Sequence, residues 1–329
     1  HWSEEVVKLT VWLSGLLGSY EQVAQVLGRV GQIEISKSSV WHRLQRCGEQ
    51  IRQVEQQQRE QASRQAVVGA RPPARVEEQV RMGLAMDGAM VNVREEGWKE
   101  LKLGCVFEIE PADESKAVVD EEEVSRAVNN SYVGYLGGPV ALGQLVWLEA
   151  QRRGWEQAAE TQVIGDGASW IWNITAHHFY DSLQVVDWYH ASQHLHQAAQ
   201  ALHGEGSAAT QQWYERHKTK LYQGHADKLS HELQQLALQR PHAAEVLNRE
   251  AGYFRNNAHR MQYLELREDG FLIGSGMVES GAKQFKARLT GPGMRWSRDG
   301  LERLIPVRAA VLSNRFDEVW AQARNSPLN

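Results

Sequence analysis

The spacing of apolar residues over positions 1–70 predicts a helical region. Ser3 is placed to cap a helix over residues 4–17, and a second helix begins at Ser19, with apolar residues recurring every three or four positions. A third helix opens at Ser36 and continues into a polar, glutamine-rich stretch. The chain therefore begins with three helices that are joined by short links.

The second and third helices resemble a helix-turn-helix unit, a common DNA-binding arrangement. The third helix has serine and lysine at its start and arginines in its body, which makes Lys37, Arg43 and Arg46 candidate DNA contacts. The alternative is a plain helical bundle whose basic side chains are simply solvated. The sequence leaves both interpretations open.

A proline-containing stretch, residues 71–80, predicts a linker, and the pattern changes after it. Five apolar runs then predict strands, at Leu84–Val93, Trp98–Glu110, Ser131–Gly137, Gln162–Ile164 and Leu183–Val186. The first two form a hairpin, and helices are expected between the later ones. An acidic run over 113–123 is expected to be a solvated loop or a short helix.

The order of these elements predicts an α/β fold with an RNase H-like mixed sheet. The first strand is expected in the middle of the sheet, beside the strand that ends at Asp166. Residues 81–190 would form the first part of this core, residues 191–272 an all-helical insertion, and residues 273–329 the C-terminal helices. A helix from Asp299 to Trp320 is expected to kink or break at Pro306.

Acidic residues stand within or directly after three of the predicted strands. Asp87 lies within the first strand, whereas Asp166 and Asp187 follow the fourth and fifth strands directly. Chemistry in an open α/β sheet sits outside the carboxyl ends of its strands, and carboxylates bind hard cations such as Mg²⁺. Glu279, in the first turn of a later helix, is the candidate third acid. Each acid also has an ordinary interpretation, as a turn former or as a favourable charge at a helix start.

Bulk composition narrows the class of protein. The formal net charge of −5 excludes a simple polycation but permits a local basic face. Two cysteines outside any metal-ligand pattern favour a reducing compartment, and no apolar run is long enough to span a membrane. A cytoplasmic location is therefore expected. His190 and His194 have a spacing that could hold zinc, but no further ligands accompany them.

The segment after Glu279 contains the basic side chains that the net charge conceals. Next to a predicted metal site, phosphate binding is a better explanation for them than a solvated helix face. An indole in a glycine- and proline-rich loop is also open to stacking on a base. The candidate DNA contacts here are Lys283, Lys286, Arg288, Arg295, Trp296 and Arg298.

Three motifs together resemble a family of bacterial insertion-sequence transposases, the ISKra-type group of the Mutator-like, RNase H-fold DDE transposases. The resemblance extends from about Leu84 to Arg315, and its motifs are GDGASWIW, FYDSLQVVDWYHASQHL and GSGMVESGAKQFKARLTGPGMRWS. It implies that the catalytic, metal-binding acids are Asp87, Asp166 and Glu279. Asp187 and His190 would form the Asp-x-x-His motif of the related superfamily.

The resemblance implies Mg²⁺-dependent cleavage and strand transfer of DNA, with two Mg²⁺ ions and with Mn²⁺ as a substitute. The partners would be double-stranded DNA, as terminal inverted repeats and target, and further copies of the chain. Two alternatives stay open. One is an RNase H-like nuclease or resolvase without strand transfer, and the other is a non-enzymatic DNA-binding regulator that uses residues 19–50.

Overall fold

The computed structural model describes residues 2–65, 80–111 and 125–326. Most of the predicted linker and the acidic run over 113–123 lie outside the described residues. Within the described parts, no helix combines the length and the apolar content that a bilayer crossing needs.

The centre of the protein is a five-stranded mixed sheet. Its strands are β1 (Arg81–Val93), β2 (Gly97–Pro111), β3 (Ser125–Leu136), β4 (Glu160–Gly165) and β5 (Leu183–Val186). The spatial order is β3-β2-β1-β4-β5. β1 pairs antiparallel with β2 and parallel with β4, so the predicted central position of the first strand is confirmed.

Two strands begin three or more residues earlier than the sequence pattern predicts. β1 starts at Arg81 rather than Leu84, and β3 starts at Ser125 rather than Ser131. β3 lies at an edge of the sheet, and in its first half only Ser125 is buried, while the other residues are half-buried or exposed. An edge strand can include such residues because one side faces solvent, which is why apolar content alone underestimates its length.

Helices surround the sheet and extend beyond it. The N-terminal helices are α1 (Glu4–Leu16), α2 (Tyr20–Gly31) and α3 (Lys37–Gln65). Those of the first crossovers are α4 (Pro139–Arg152) and α5 (Ser169–His178). The predicted helical insertion contains α6 (Trp188–His203), α7 (Ala208–Tyr222), α8 (Ala226–Gln239), α9 (Ala244–Asn257) and α10 (Tyr263–Glu268). The last three are α11 (Gly276–Leu289), α12 (Arg298–Leu312) and α13 (Phe316–Asn325).

Both faces of the sheet are covered, as two glycines on neighbouring strands demonstrate. A Cβ added at Gly104 of β2 would lie 2.3 Å from Val146 of α4, so α4 presses against one face. A Cβ added at Gly134 of β3 would instead approach Ile305 of α12 and Phe285 of α11. Strands that are buried on both faces need near-continuous apolar runs, which explains the unbroken burial in the middle of β2.

The N-terminal helices pack directly against the C-terminal ones. A Cβ added at Gly15 of α1 would lie 2.8 Å from Val311 of α12, and one added at Gly48 of α3 would lie 2.5 Å from the carbonyl oxygen of Arg303. Of the kink or break predicted at Pro306, the break is wrong: α12 continues through this proline, and the chain turns between Leu312 and Phe316 instead. Packing on both sides holds the proline-containing helix together.

Candidate active site

Asp87 and Asp166 occupy matching positions on neighbouring strands. Ala85 of β1 pairs with Ile164 of the parallel strand β4, and each aspartate lies two residues beyond its member of this pair. Neighbouring strands lie about 4.8 Å apart, and residues at equal register project to the same face. The two carboxylates therefore stand side by side.

Asp187 continues the same row. Gly165 of β4 pairs with Val186 of β5, so Asp166 and Asp187 each follow directly after this pair. The amide of Asp187 donates a hydrogen bond to the carbonyl oxygen of Gly165 at 2.8 Å, which fixes the register beyond the end of β5. Three aspartates thus line one edge of the sheet, with Asp166 in the middle.

Asp87 and Asp166 each keep one carboxylate oxygen available. Oδ1 of Asp87 accepts a hydrogen bond from the amide of Gly88 at 2.7 Å, and Oδ1 of Asp166 accepts one from the amide of Ala168 at 2.8 Å. Oδ2 of neither residue accepts a hydrogen bond from the described parts of the chain. Two free anionic oxygens on adjacent strands are a donor set that suits a cation.

Burial and a neighbouring charge change the acidity of Asp87. Burial raises the pKa of Asp87, and the negative charge of Asp166 raises it further. The amide of Gly88 and the positive charges of His190 and Lys286 act in the opposite direction. The raised pKa reflects partly desolvated negative charge that the protein itself does not fully neutralise.

Asp187 differs because its oxygens are occupied. Its side chain is 1% exposed, and Oδ1 accepts from the amide of His190 at 2.8 Å and from His190 Nδ1 at 3.0 Å. Oδ2 accepts from the amide of Ser275 at 2.5 Å. Burial alone would raise the pKa of Asp187, but these hydrogen bonds outweigh it and lower the pKa. Asp187 therefore caps α6 and ties the start of α11 to the sheet.

Glu279 is connected to the row of three aspartates through Ser275. Ser275 Oγ donates to Oε1 of Glu279 at 3.3 Å, while the amide of Ser275 binds Asp187. One ligand atom from each of Asp187, His190 and Glu279 lies within 4.8 Å of the other two, so this cluster could hold a metal ion. Among the described residues, the predicted trio of Asp87, Asp166 and Glu279 does not form a cluster this tight.

His190 faces all three aspartates. Its hydrogen bond to Asp187 raises the pKa of His190, burial opposes this, and the charges of Asp187, Asp166 and Asp87 raise it further. Because the Asp187 carboxylate accepts, Nδ1 of His190 carries the hydrogen, and Nε2 is free for a ligand. His194 has a different partner, Glu250, at 2.5 Å, so the two histidines do not share a zinc site.

Helix α9 supports the turn that carries Asp166, a feature that the sequence did not reveal. The hydroxyl of Tyr253 donates to the carbonyl oxygen of Asp166 at 2.9 Å. The ring of His194 stacks on Tyr253 at 3.6 Å, and His194 is held in turn by Glu250, which is 0% exposed. No local pattern marks Tyr253, because its partner lies 87 positions away.

One predicted DNA contact after Glu279, Arg288, is corrected by the structure. Arg288 is 2% exposed, and it donates to the carbonyl oxygens of Ser14 and Gly18, so it binds the N-terminal helices. Trp296 donates through Nε1 to the carbonyl oxygen of Leu289 at 2.9 Å and packs on the core. Arg288 is therefore not free to contact a duplex, whereas Trp296 is half-buried and its contact with DNA stays a prediction.

The remaining cations of this segment differ in availability. Arg298 is bound to Glu96 and Glu302, which neutralises much of its charge. Lys283, Lys286 and Arg295 are exposed. Exposed side chains on and after α11 therefore provide the positive charge near the acids.

The candidate contacts of the third helix lie near its start. Lys37 is exposed and pairs with the exposed Glu21 at 3.5 Å. The guanidinium of Arg43 lies 4.2 Å from the centre of the Trp2 ring, whereas Arg46 is exposed. The loop before α3 is short, as the helix-turn-helix prediction requires.

Comparison with known proteins gives a family. The model of the family described as "Uncharacterised protein family (UPF0236)" matches residues 146–319, more than half of the chain. The chain belongs to this family. The matched region includes Asp166, Asp187, His190 and Glu279, whereas Asp87 precedes it. A search of curated proteins found no match.

Proposed function

We propose that this protein is a DDE transposase of the ISKra type, with an RNase H-like fold and Mg²⁺-dependent DNA cleavage and strand transfer as its activity. The observation that carries the proposal is the row of three aspartates, with Asp166 and Asp187 at the carboxyl ends of β4 and β5 and Asp87 beside them within β1. Glu279 is joined to this row through Ser275. The strand order, in which an antiparallel hairpin adjoins parallel strands, supports the same fold assignment.

The donor set fits a hard divalent cation. Asp87 and Asp166 offer two free carboxylate oxygens. Glu279, whose carboxylate clusters with Asp187 and His190, would supply the third carboxylate from α11. Oxygen ligands of this kind suit Mg²⁺, and Mn²⁺ accepts them as well. Bound Mg²⁺ ions would neutralise charge on the phosphate and activate the attacking oxygen in an in-line displacement.

The aspartates divide into two roles in this proposal. Asp87 and Asp166 bind the ions, because each keeps a free oxygen next to the other's charge. Asp187 positions its neighbours instead, since both of its oxygens accept hydrogen bonds from His190 and Ser275. His190 Nε2 is available to hold a phosphate oxygen, and exposed lysines on α11 attract the DNA backbone.

The test uses DNA that carries the inverted repeats expected to bracket the gene. With Mg²⁺, we expect the wild-type protein to cut this DNA and to join a pre-cleaved 3′ end to target DNA. Asp87→Asn, Asp166→Asn and Glu279→Gln should each abolish both reactions while the far-ultraviolet circular dichroism stays unchanged. Retained cleavage in any one of these variants would remove that residue from the proposed metal site.

The variant Asp187→Asn tests whether Asp187 is a metal ligand or a residue that positions its neighbours. Its amide nitrogen would face the amide of Ser275, two donors in contact, so we expect a loss of stability of about 1–3 kcal/mol. Mn²⁺ affinity, measured by electron paramagnetic resonance on folded protein, should fall much more in Asp166→Asn than in Asp187→Asn. Cleavage without any joined product would instead identify a nuclease or resolvase built on the same site.

A further inference from the structure

A cavity of about 710 Å³ lies beside the acidic cluster. Its walls come from the start of β3, from α6, α7 and α10, and from the loop that leads into α11. Gly274, Gly276 and Met277 line it, and they flank Ser275, whose amide binds Asp187. Its size is in the range of small-ligand sites, about 300–1,000 Å³. The cavity and the acids therefore share the segment 274–277.

Two aromatic rings form one wall of this cavity. Trp188 follows Asp187 directly and meets Tyr222 edge to face, with ring centres 5.6 Å apart. Both side chains are half-buried, so each is supported by packing and still presents part of its surface to the cavity. Rings of this kind are sequence-tolerant platforms for nucleobases.

Two cations stand next to these rings. Lys218 Nζ lies 6.0 Å from the centre of the Trp188 ring, and the Arg267 guanidinium lies 6.0 Å from the centre of the Tyr222 ring. Neither has a carboxylate partner within the described parts of the chain. Glu215 also lines the cavity, so the cavity walls carry both negative and positive charges. The two cations nearest the rings are nevertheless available to bind an anionic ligand.

The glycines leave the mouth of the cavity open to a chain. A Cβ added at Gly274 or at Gly276 would meet no atom within 4 Å, so the backbone there borders free space. A polymer that enters the acidic site could pass along this loop without a clash. The combination of aromatic rings, unpaired cations and open backbone suits an unpaired nucleotide better than a small apolar ligand.

We propose that this cavity binds one or two unpaired nucleotides of the DNA strand that occupies the acidic site. The bases stack on Trp188 and Tyr222, and Lys218 and Arg267 bind the flanking phosphates. This inference rests on the proposed function, because it takes DNA as the substrate. It adds that the duplex opens beside the reacting phosphate and that the protein holds the unpaired bases.

The experiment measures binding of a short single-stranded oligonucleotide that contains 2-aminopurine, with Ca²⁺ in place of Mg²⁺. Fluorescence anisotropy reports affinity, and quenching of 2-aminopurine reports stacking. We expect Lys218→Glu combined with Arg267→Glu to weaken binding at least about tenfold and to remove the quenching. Arg216→Glu, an exposed cation on the same helix, should change affinity less than about twofold.

Gly274→Leu fills the cavity without changing any charge. Because an added Cβ at Gly274 meets nothing, this variant should fold normally and still lose the quenching. Equal binding and quenching in the wild type, the double variant and Gly274→Leu would overturn the inference. Binding that weakens without any quenching, even in the wild type, would also overturn it, since it would show phosphate contact without stacking.

Failure of this inference can be told from failure of the proposed function. Asp87→Asn should abolish cleavage, whereas the quenching should still depend on Lys218 and Arg267 in this variant, because Asp87 does not line the cavity. If the wild type cuts no DNA but the quenching depends on Lys218 and Arg267, the transposase proposal fails and the nucleotide site stands. If DNA is cut but no variant affects the quenching, the nucleotide site fails and the transposase proposal stands.

Discussion

The hydroxyl of Tyr253 donates a hydrogen bond to the carbonyl oxygen of Asp166 at 2.9 Å, and this contact connects the helical insertion to the edge of the sheet. Burial raises the pKa of Tyr253, so the hydroxyl stays protonated and can donate at neutral pH. His194 stacks on the ring, and buried Glu250 anchors His194. The insertion thereby sets the position of a carboxylate that it does not itself carry.

Tyr253→Phe should therefore impair the site more than the fold. Loss of one such hydrogen bond costs on the order of 1 kcal/mol of stability, whereas a looser Asp166 should lower Mn²⁺ affinity and the rate of cleavage about tenfold. Titration with Mn²⁺ and single-turnover kinetics check this expectation. Tyr189→Phe, which removes an exposed hydroxyl near the site, is the matched control and should behave as the wild type does. Equal Mn²⁺ affinity in Tyr253→Phe and the wild type would exclude a positioning role.

Two glycines near this contact should respond in opposite directions to alanine. Gly167 has φ +100°, and a Cβ there would lie 2.8 Å from Cε2 of Tyr253, so Gly167→Ala should destabilise the protein by about 1–3 kcal/mol and reduce activity. Gly252 lies within α9, and a Cβ there would meet nothing within 4 Å. Gly252→Ala should stabilise the protein by about 0.5–1 kcal/mol. Thermal unfolding of both variants measures the contrast, and a stable Gly167→Ala would contradict it.

The contact between α3 and α12 should be sensitive to acid. Hydrogen bonds from Arg52 and then Arg303 lower the pKa of Glu49 to about 2, against the opposing effect of burial. Because the pKa of Glu49 is lower in the folded state, the ionised side chain stabilises the fold at pH values above its unfolded pKa of about 4.5. This stabilisation is lost as the pH falls towards about 2. Glu49→Gln should thus cost on the order of 1–3 kcal/mol at neutral pH.

The difference between Glu49→Gln and the wild type should narrow as the pH is lowered, which urea denaturation at several pH values can follow. Glu34→Gln, at an exposed position, is the control and should have little effect at any pH. A pH-independent difference would mean that packing, rather than charge, accounts for the role of Glu49.

Substitution of two neighbouring cations on α11 should affect stability in one case and DNA binding in the other. Arg288→Ala leaves the carbonyl oxygens of Ser14 and Gly18 without their donor and opens a cavity, so about 3–5 kcal/mol of stability should be lost. Lys286→Ala, at an exposed position, should change stability by no more than about 0.5 kcal/mol but weaken DNA binding. Calorimetry and binding to a labelled duplex test both. An Arg288→Ala variant as stable as the wild type would refute the structural role.

Much of the fold follows from local sequence. The predicted bounds of β5 agree with the structure, and the predicted cap Ser3 accepts the expected amide hydrogen bond. Strand order was also predictable, because a hairpin followed by crossover units has few ways to form one sheet. The continuity of α12 through Pro306 was not, since packing from both sides offsets a local preference that points the other way.

The sequence by itself determined that Asp166 and Asp187 stand at the ends of strands and that Asp87 lies within one, because alternation and apolar runs reveal where a strand runs and stops. It could not determine which aspartate has a free oxygen. That depends on Ser275, which reaches Asp187 across 88 positions, and on the insertion that holds Asp166. Likewise, only the tertiary structure decided that Arg288 is buried. Hydrogen-bond partners and burial are properties of the packed chain, and they distinguish residues that look alike in sequence.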